Sequence, residues 1–200
     1  MIKTVVFDLG GVLIDWDPRH LYRKLIPEEA AMERFLDEVC NDAWNVRQDA
    51  GRTIDEAVAE RVTLYPDHTP LIEAYYDRWL EMVPGAIDGT VEILAELKAL
   101  GTPLYALTNF SRETFPLATE RFEFFGWFEG VVVSGRVGVI KPDRRIYDLL
   151  FTTFDIAPST ALFIDDRQDN VDGAKAAGMD AVRFSSPERL RADLRERGIL

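Results

Sequence analysis

Apolar and polar positions along this 200-residue chain follow two rhythms. The first stretch, Thr4-Val5-Val6-Phe7, is apolar without alternation and leads into Asp8, Leu9 and the pair Gly10-Gly11. A run this short, rich in β-branched residues, predicts a strand buried on both faces. The glycines end it and let the backbone turn sharply or come close to a ligand. From Asp17-Pro18 to about Val83 the apolar spacing changes to threes and fours. Leu21, Leu25 and Ile26 form one face, Phe35, Leu36 and Val39 another, and Ile54, Val58 and Val62 a third. Leu71, Ile72, Tyr75, Tyr76, Trp79 and Leu80 form the longest. This predicts about four helices and no strand between them. Asp17 is placed as a helix cap before Pro18, and Thr53 with Glu56 reads as a capping box.

After Gly89 strands and helices alternate. Strands are expected at 103–108, 130–134, 160–166 and 181–184. Helices are expected at 91–100, to about 125, from 142 to about 154, at 170–177, and from 187 to about 197, with Gly101 and Gly178 as terminators. Alternation of this kind means right-handed crossovers and a parallel sheet. The expected fold class is therefore α/β: a five-stranded parallel core built from residues 1–15 and 84–200. The all-helical stretch 16–83 is expected as an inserted cap over the carboxyl edge of the sheet.

The four later motifs fall at strand ends. Asp8 ends the first strand, Thr108-Asn109 the second, and Asp165-Asp166 the fourth, while Lys141 follows the third and precedes Pro142. In a parallel sheet these ends converge on one rim, where open α/β sheets bind ligands. A carboxylate there can serve as metal ligand, nucleophile or base.

Composition narrows the partner. Net charge is −12, and the 16–83 stretch alone carries 15 acids against 8 bases. That argues against nucleic acid or an anionic membrane surface, and requires any phosphate site to be made positive locally. The single cysteine, Cys40, cannot form an internal disulfide. With no signal-peptide layout and no apolar run of membrane-spanning length, the expectation is a cytoplasmic protein, monomer or homodimer.

The ordered set Phe7-Asp8-Leu9-Gly10-Gly11-Val12-Leu13, Leu107-Thr108-Asn109, Lys141-Pro142 and Phe163-Ile164-Asp165-Asp166 with Asp169 resembles the haloacid dehalogenase superfamily over essentially the whole chain. It is most similar to members with a small helical cap, in the branch of sugar-phosphate phosphatases that includes bacterial α-glucose-1-phosphate phosphatase. The resemblance implies a Rossmann-like core and hydrolysis of a small-molecule phosphate ester with Mg²⁺. It casts Asp8 as the nucleophile that forms an aspartyl-phosphate, with Asp8, the Gly10 carbonyl and Asp166 as metal ligands and Asp165 assisting. Lys141 would neutralise charge on Asp8 and the phosphoryl group. Thr108 and the Asn109 amide would hydrogen-bond its oxygens, and the Gly10-Gly11 turn would offer N–H groups.

Gly10 departs from the family pattern, in which most phosphatases carry an Asp there to protonate the leaving oxygen. Three readings follow. The substrate has a leaving group that hardly needs a proton, such as an anomeric hydroxyl; or another group stands in, with Asp15, Asp17 and His20 nearest in sequence; or the protein is catalytically weak. The alternatives to a phosphatase are a metal-independent 2-haloacid dehalogenase, which would not need the acids of the fourth motif, and a binding or regulatory protein on the same scaffold.

Substrate selection is expected from the cap. The polar run 44–52 brings Trp44, Asn45, Arg47, Gln48 and Asp49 together, so Trp44 and Arg47 are candidate substrate-binding residues. Trp44 reads equally well as cap core. Phe110, Arg112 and the stretch 135–138 lie beside the site in sequence. His68 reads as a loop residue, Cys40 as packing, and the aromatics of 122–128 as sheet-facing.

Overall fold

The computed structural model describes residues 2–200. Strand β1 (Thr4–Phe7) is buried at every position. The chain then enters a helical block with α1 (Arg19–Leu25), α2 (Glu29–Glu38), α3 (Asp42–Asp49), α4 (Ile54–Leu64) and α5 (Thr69–Asp77). It returns through a 3-10 turn, Trp79–Met82, to α6 (Asp88–Ala99) and β2 (Leu104–Thr108). There follow α7 (Phe115–Arg121), β3 (Gly130–Val133), the one-turn α8 (Ser134–Val137), α9 (Arg144–Phe154) and β4 (Ala161–Asp165). The last elements are α10 (Gln168–Ala176), β5 (Asp180–Arg183) and α11 (Pro187–Glu196).

The sheet has the order β3-β2-β1-β4-β5, and every pairing is parallel. β1 is central, with Phe7 beside Ala106 of β2 and Ile164 of β4. That register brings the carboxyl ends of β1, β2 and β4 level, so the residues after them share one rim. The two faces of β1 enter different cores. Val5 and Phe7 join a cluster with Ile93, Leu97 and Leu194 of α6 and α11. Val6 joins Ile146, Leu150 and Val171 of α9 and α10. The unalternating sequence of β1 is the signature of a strand covered on both sides.

The helical block differs from its sequence-based reading in two ways. The polar run 44–52, to which the apolar spacing assigns no helical face, overlaps α3, whose start is fixed by the Asn41 side chain accepting from Trp44 N–H at 2.9 Å. Low amphipathicity hid it: its buried residues are Trp44 and the polar Gln48. The long helix expected to reach Val83 stops at Asp77 and tightens into the 3-10 turn. The capping box of Thr53 and Glu56 is formed, and Asp17 accepts from Arg19 N–H at 2.9 Å at the start of α1.

The block meets the core at several points. The chain leaves and re-enters along paired backbone, with Asp15 N–H donating to Gly85 O (3.0 Å), Asp17 N–H to Met82 O (3.0 Å) and Ile87 N–H to Leu13 O (2.9 Å). At the end of α3, Ser134 Oγ donates to Asp49 O at 2.6 Å. There a Cβ on Gly135 would lie 2.5 Å from Arg112 N and 2.7 Å from Phe110 O, so only glycine lets α8 sit this close.

Inside the block Trp44 is 1 % exposed, packed at 5.1 Å on the Tyr75 ring and 5.4 Å on Tyr76, with its indole N–H on Ala57 O. Tyr22, Phe35 and Tyr75 continue this aromatic core, and Cys40 is buried beside it. His68 packs its ring edge on Phe35, and Phe124 and Phe125 are buried against the sheet side as expected. Trp44→Ala is expected to cost about 3–5 kcal/mol of stability in urea unfolding. Arg47→Ala, which removes only an exposed ion pair with Glu60, should cost under about 1 kcal/mol.

Candidate active site

Asp8, one residue beyond β1, is 7 % exposed, and its Oδ1 accepts from Leu9 N–H at 2.7 Å. Lys141 is 2 % exposed. Its Nζ reaches Asp8 Oδ2 at 2.9 Å and Asp165 Oδ2 at 2.7 Å, and donates to Leu107 O at 2.9 Å. An ammonium has three protons, so these three acceptors satisfy it. Its backbone is clamped from β2: Lys141 N–H donates to Asn109 Oδ1 (2.8 Å), and Asn109 Nδ2 donates to Lys141 O (3.1 Å). Asp165 is fully buried, and accepts also from Arg167 N–H (2.8 Å) and Asn170 Nδ2 (3.0 Å).

Oxygens of Asp8, Asp165 and Asp166 lie within 4.8 Å of one another. Three carboxylates around one ammonium leave an excess of negative charge out of water. Burial raises the Asp8 carboxyl above its usual range, and Asp165 and Asp166 push it further against the pull of Lys141. Burial and Asp165 raise Asp166 too. Burial works to lower Lys141, but Asp8 and Asp165 outweigh it and hold it above its ordinary value, so it stays charged. The donor set consists of hard oxygens, and a divalent cation is the ion whose charge it is short of. The Gly10 carbonyl, two residues after Asp8, accepts no hydrogen bond among the described residues.

A cavity runs from this rim to the helical block. Its core wall includes Gly10, Asn109, Phe110 and Ser111, and its opposite wall Asn45, Asp49, Tyr76 and Trp79. Trp16 on the connection also lines it. Asn45 Nδ2 donates to Asp49 Oδ2 at 3.3 Å, Tyr76 OH donates to Asn45 Oδ1 at 3.1 Å, and Gln48 Nε2 donates to Tyr76 OH at 3.0 Å. Burial pushes the Asp49 carboxyl up to about 7, against the pull of the Ser111 N–H.

Residues 2–178 match the model of a hydrolase family described as haloacid dehalogenase-like hydrolase. The chain belongs to that family. Among its relatives, the sesquiterpene phosphatase astK of Aspergillus oryzae is 23 % identical, over 97 % of this chain and 95 % of its own. The validoxylamine A 7'-phosphate phosphatase of Streptomyces hygroscopicus subsp. limoneus is 25 % identical, over 93 % and 87 %. A HAD-family enzyme of Bacteroides thetaiotaomicron, solved with magnesium and inorganic phosphate, shares the fold with a TM-score of 0.70 at 21 % identity, over 93 % of this chain and 96 % of that one.

In this haloacid dehalogenase-like chain Asp8, Lys141, Asp165 and Asp166 lie together, Asn109 clamps the Lys141 backbone, and the Thr108 hydroxyl is buried without a partner. Five other sequence-based readings change. Trp44 is walled in by Tyr75 and Tyr76 and presents no face to the cavity. Arg47 points outward to Glu60. Gly11 N–H is taken by Ile14 O at 2.9 Å, so it is not free for an anion. What Gly11 supplies instead is room: with φ at +71°, a Cβ there would lie 2.9 Å from Asp166 Oδ2. Asp169 lies apart from the acid cluster, paired at the surface with Arg167. Of the stand-in groups nearest in sequence, Asp15, Asp17 and His20, none lines the cavity: Asp15 meets His20 at 3.2 Å and Asp17 pairs with Arg19. Phe110 lines the cavity, whereas Arg112 is exposed. Asn45 and Asp49 come from the polar run 44–52 expected to face the substrate, whereas Asn170, which orients Asp165, and the cavity residues Tyr76 and Trp79 carried no motif to single them out for a role.

Two variants test this electrostatic picture. Lys141→Met should destabilise the fold by about 3–5 kcal/mol at neutral pH, because it leaves buried carboxylates without a counter-charge. The loss should shrink as acid protonates them. Asp49 has the opposite sense to a paired carboxylate. Its folded pKa of about 7 lies above its ordinary 3.8, so the folded state holds a proton that the unfolded state has lost, and stability falls as pH rises between those values. Asp49→Asn lacks that loss, and its denaturation midpoint relative to wild type should rise with pH across this window.

Proposed function

We propose that the chain is a Mg²⁺-dependent phosphomonoester hydrolase acting through an aspartyl-phosphate on Asp8. The observation that carries the reading is Lys141 Nζ held between Asp8 at 2.9 Å and Asp165 at 2.7 Å, beside a Thr108 hydroxyl that is buried without a partner. A buried orphan hydroxyl costs free energy unless something fills its bonding capacity. A phosphoryl oxygen beside Asp8 is such a partner. The related phosphatases, and the Bacteroides enzyme solved with magnesium and phosphate, support the same chemistry.

Asp8, Asp166 and the Gly10 carbonyl would hold Mg²⁺, with Asp165 close behind, bound to Lys141 and Asn170. The bound ion would relieve the repulsion between carboxylate and phosphate dianion. An Asp8 oxygen attacks phosphorus, and the ester oxygen leaves with the bonding pair. Lys141 draws the Asp8 carboxyl toward its ionised form, against burial and the neighbouring acids, and balances the incoming charge. The Thr108 hydroxyl and the Asn109 main-chain amide donate to the phosphoryl oxygens, while the Asn109 side chain holds Lys141 in place. Water then cleaves the acyl phosphate and frees Asp8.

Residues 16–83 act in this reading as a cap that closes over residues 1–15 and 84–200. Sugar phosphates, sugar 1-phosphates among them, are the substrates that the cavity suits best. Trp16, Trp79 and Tyr76 offer apolar faces, and Asn45 and Asp49 polar groups for hydroxyls. The protein works in the cytoplasm as a monomer or homodimer. Among the described residues no helix is long and apolar enough to cross a membrane.

The test is phosphate release from a panel of sugar phosphates and one aryl phosphate, with Mg²⁺ and with chelator. Turnover should require Mg²⁺ and fall by about 10⁴-fold or more in Asp8→Asn. Turnover that persists in chelator, or in Asp8→Asn, would sink the reading. Chloride release from a 2-haloacid in chelator would favour the dehalogenase instead.

A further inference from the structure

Departure of an alkoxide from phosphorus needs a proton, and the rim has none to spare. Asp8 and Asp165 are tied to Lys141, and Asp166 lies against Gly11. Gly10 itself has no side chain, and nothing lies within 4 Å of where its Cβ would stand. The cavity is open at that point. Among the described residues that line it, the titratable groups are Asp49 and Tyr76. Tyr76 has one hydroxyl proton, and it is already given to Asn45 Oδ1 at 3.1 Å.

We propose that Asp49, delivered from the helical block, is the general acid and base of this active site. The inference rests on the phosphatase reading above. Asp49 lies at the last turn of α3, where its own carbonyl is anchored to the core by Ser134 Oγ. Its carboxyl is positioned by Asn45 and Asn45 by the Tyr76 hydroxyl, which in turn accepts from the fully buried Gln48. Such a chain of hydrogen bonds fixes a side chain that must meet a reacting atom. The charged groups around it are Asp42, which holds its proton on, and Lys141, which draws it off. The result is a carboxyl that is protonated at mildly acidic to neutral pH, as a general acid must be.

In the first step the P–O ester bond breaks, its electron pair goes to the leaving oxygen, and the Asp49 proton goes to that oxygen. Asp49 is then a carboxylate. In the second step it takes a proton from water as the water oxygen bonds to phosphorus and Asp8 leaves with the acyl-phosphate pair. Both residues end as they began.

Two leaving groups separate the first step from the second. With p-nitrophenyl phosphate the phenolate leaves without a proton. Asp49→Asn should keep a nitrophenol burst near the wild-type rate, and then stall as a phospho-enzyme that can be trapped. With a sugar phosphate esterified at a primary hydroxyl, alcohol release in a single turnover should fall about 10²- to 10⁴-fold. Gly10 has room for a side chain and does not occupy the left-handed region, so Gly10→Asp can supply a carboxyl from the opposite wall. The double variant Asp49→Asn/Gly10→Asp should recover much of the loss on the primary ester. Equal loss on both substrates, or Asp49→Asn turning over the primary ester at the wild-type rate, would overturn the proposal. So would a wild type that hydrolyses aryl and anomeric esters but no primary ester. A wild type that forms no phospho-enzyme from any ester instead removes the phosphatase reading, and is read before any variant is made.

Discussion

One ammonium group organises the catalytic rim. Lys141 is among the largest fully buried side chains, and it touches the ends of three neighbouring strands at once: Asp8 after β1, Leu107 O in β2 and Asp165 at the end of β4. None of these acceptors would be stable in the interior without it, and it would not be charged there without them. The pair of hydrogen bonds from Asn109 fixes the Lys141 backbone at the mouth of the rim. The parallel register sets the distances: because Phe7, Ala106 and Ile164 lie side by side, the side chains just past them lie within reach of one Nζ. Mutual dependence of this kind makes the cluster costly to break and therefore geometrically definite.

The catalytic rim is fixed by strand ends, whereas the wall facing it is carried by helices. The cavity between them is open at Gly10, where nothing lies within 4 Å of the place a Cβ would take. A wall built on α3 and α5 brings Asn45, Asp49 and Tyr76 to that space, away from the cluster of Asp8, Asp165 and Asp166. The charged groups of the rim are thus held at or just beyond strand ends, and the facing polar and aromatic groups of the cavity mostly on helices.

Much of this was legible in the sequence. The unalternating β1, the strand-helix alternation after Gly89 and the four polar strand ends specify the sheet and the rim, because each rests on local pattern plus a rule about parallel sheets. Asp8, Lys141, Asp165 and Asp166 were found that way. The cavity wall was not. Trp44 and Arg47 were attractive because of their chemistry, but which face of α3 turns inward depends on the packing of Trp44 between Tyr75 and Tyr76, some thirty residues later in the chain. One turn along α3 from Trp44 and Asn45, Asp49 faces the cavity beside Asn45, and no local pattern distinguishes it from a solvated acid. Gly11 was read for its N–H, when the demand on it is steric.

The hydrophobic cluster on one face of the sheet does not end at the sheet. Val5 and Phe7 of β1, Leu21 and Tyr22 of α1, and Trp44, Ile72 and Tyr75 of the helical block belong to a single continuous core. The helical block and the sheet therefore share buried contacts. The native packing of the block and that of the sheet face depend on each other, and a lesion deep in either is felt by both.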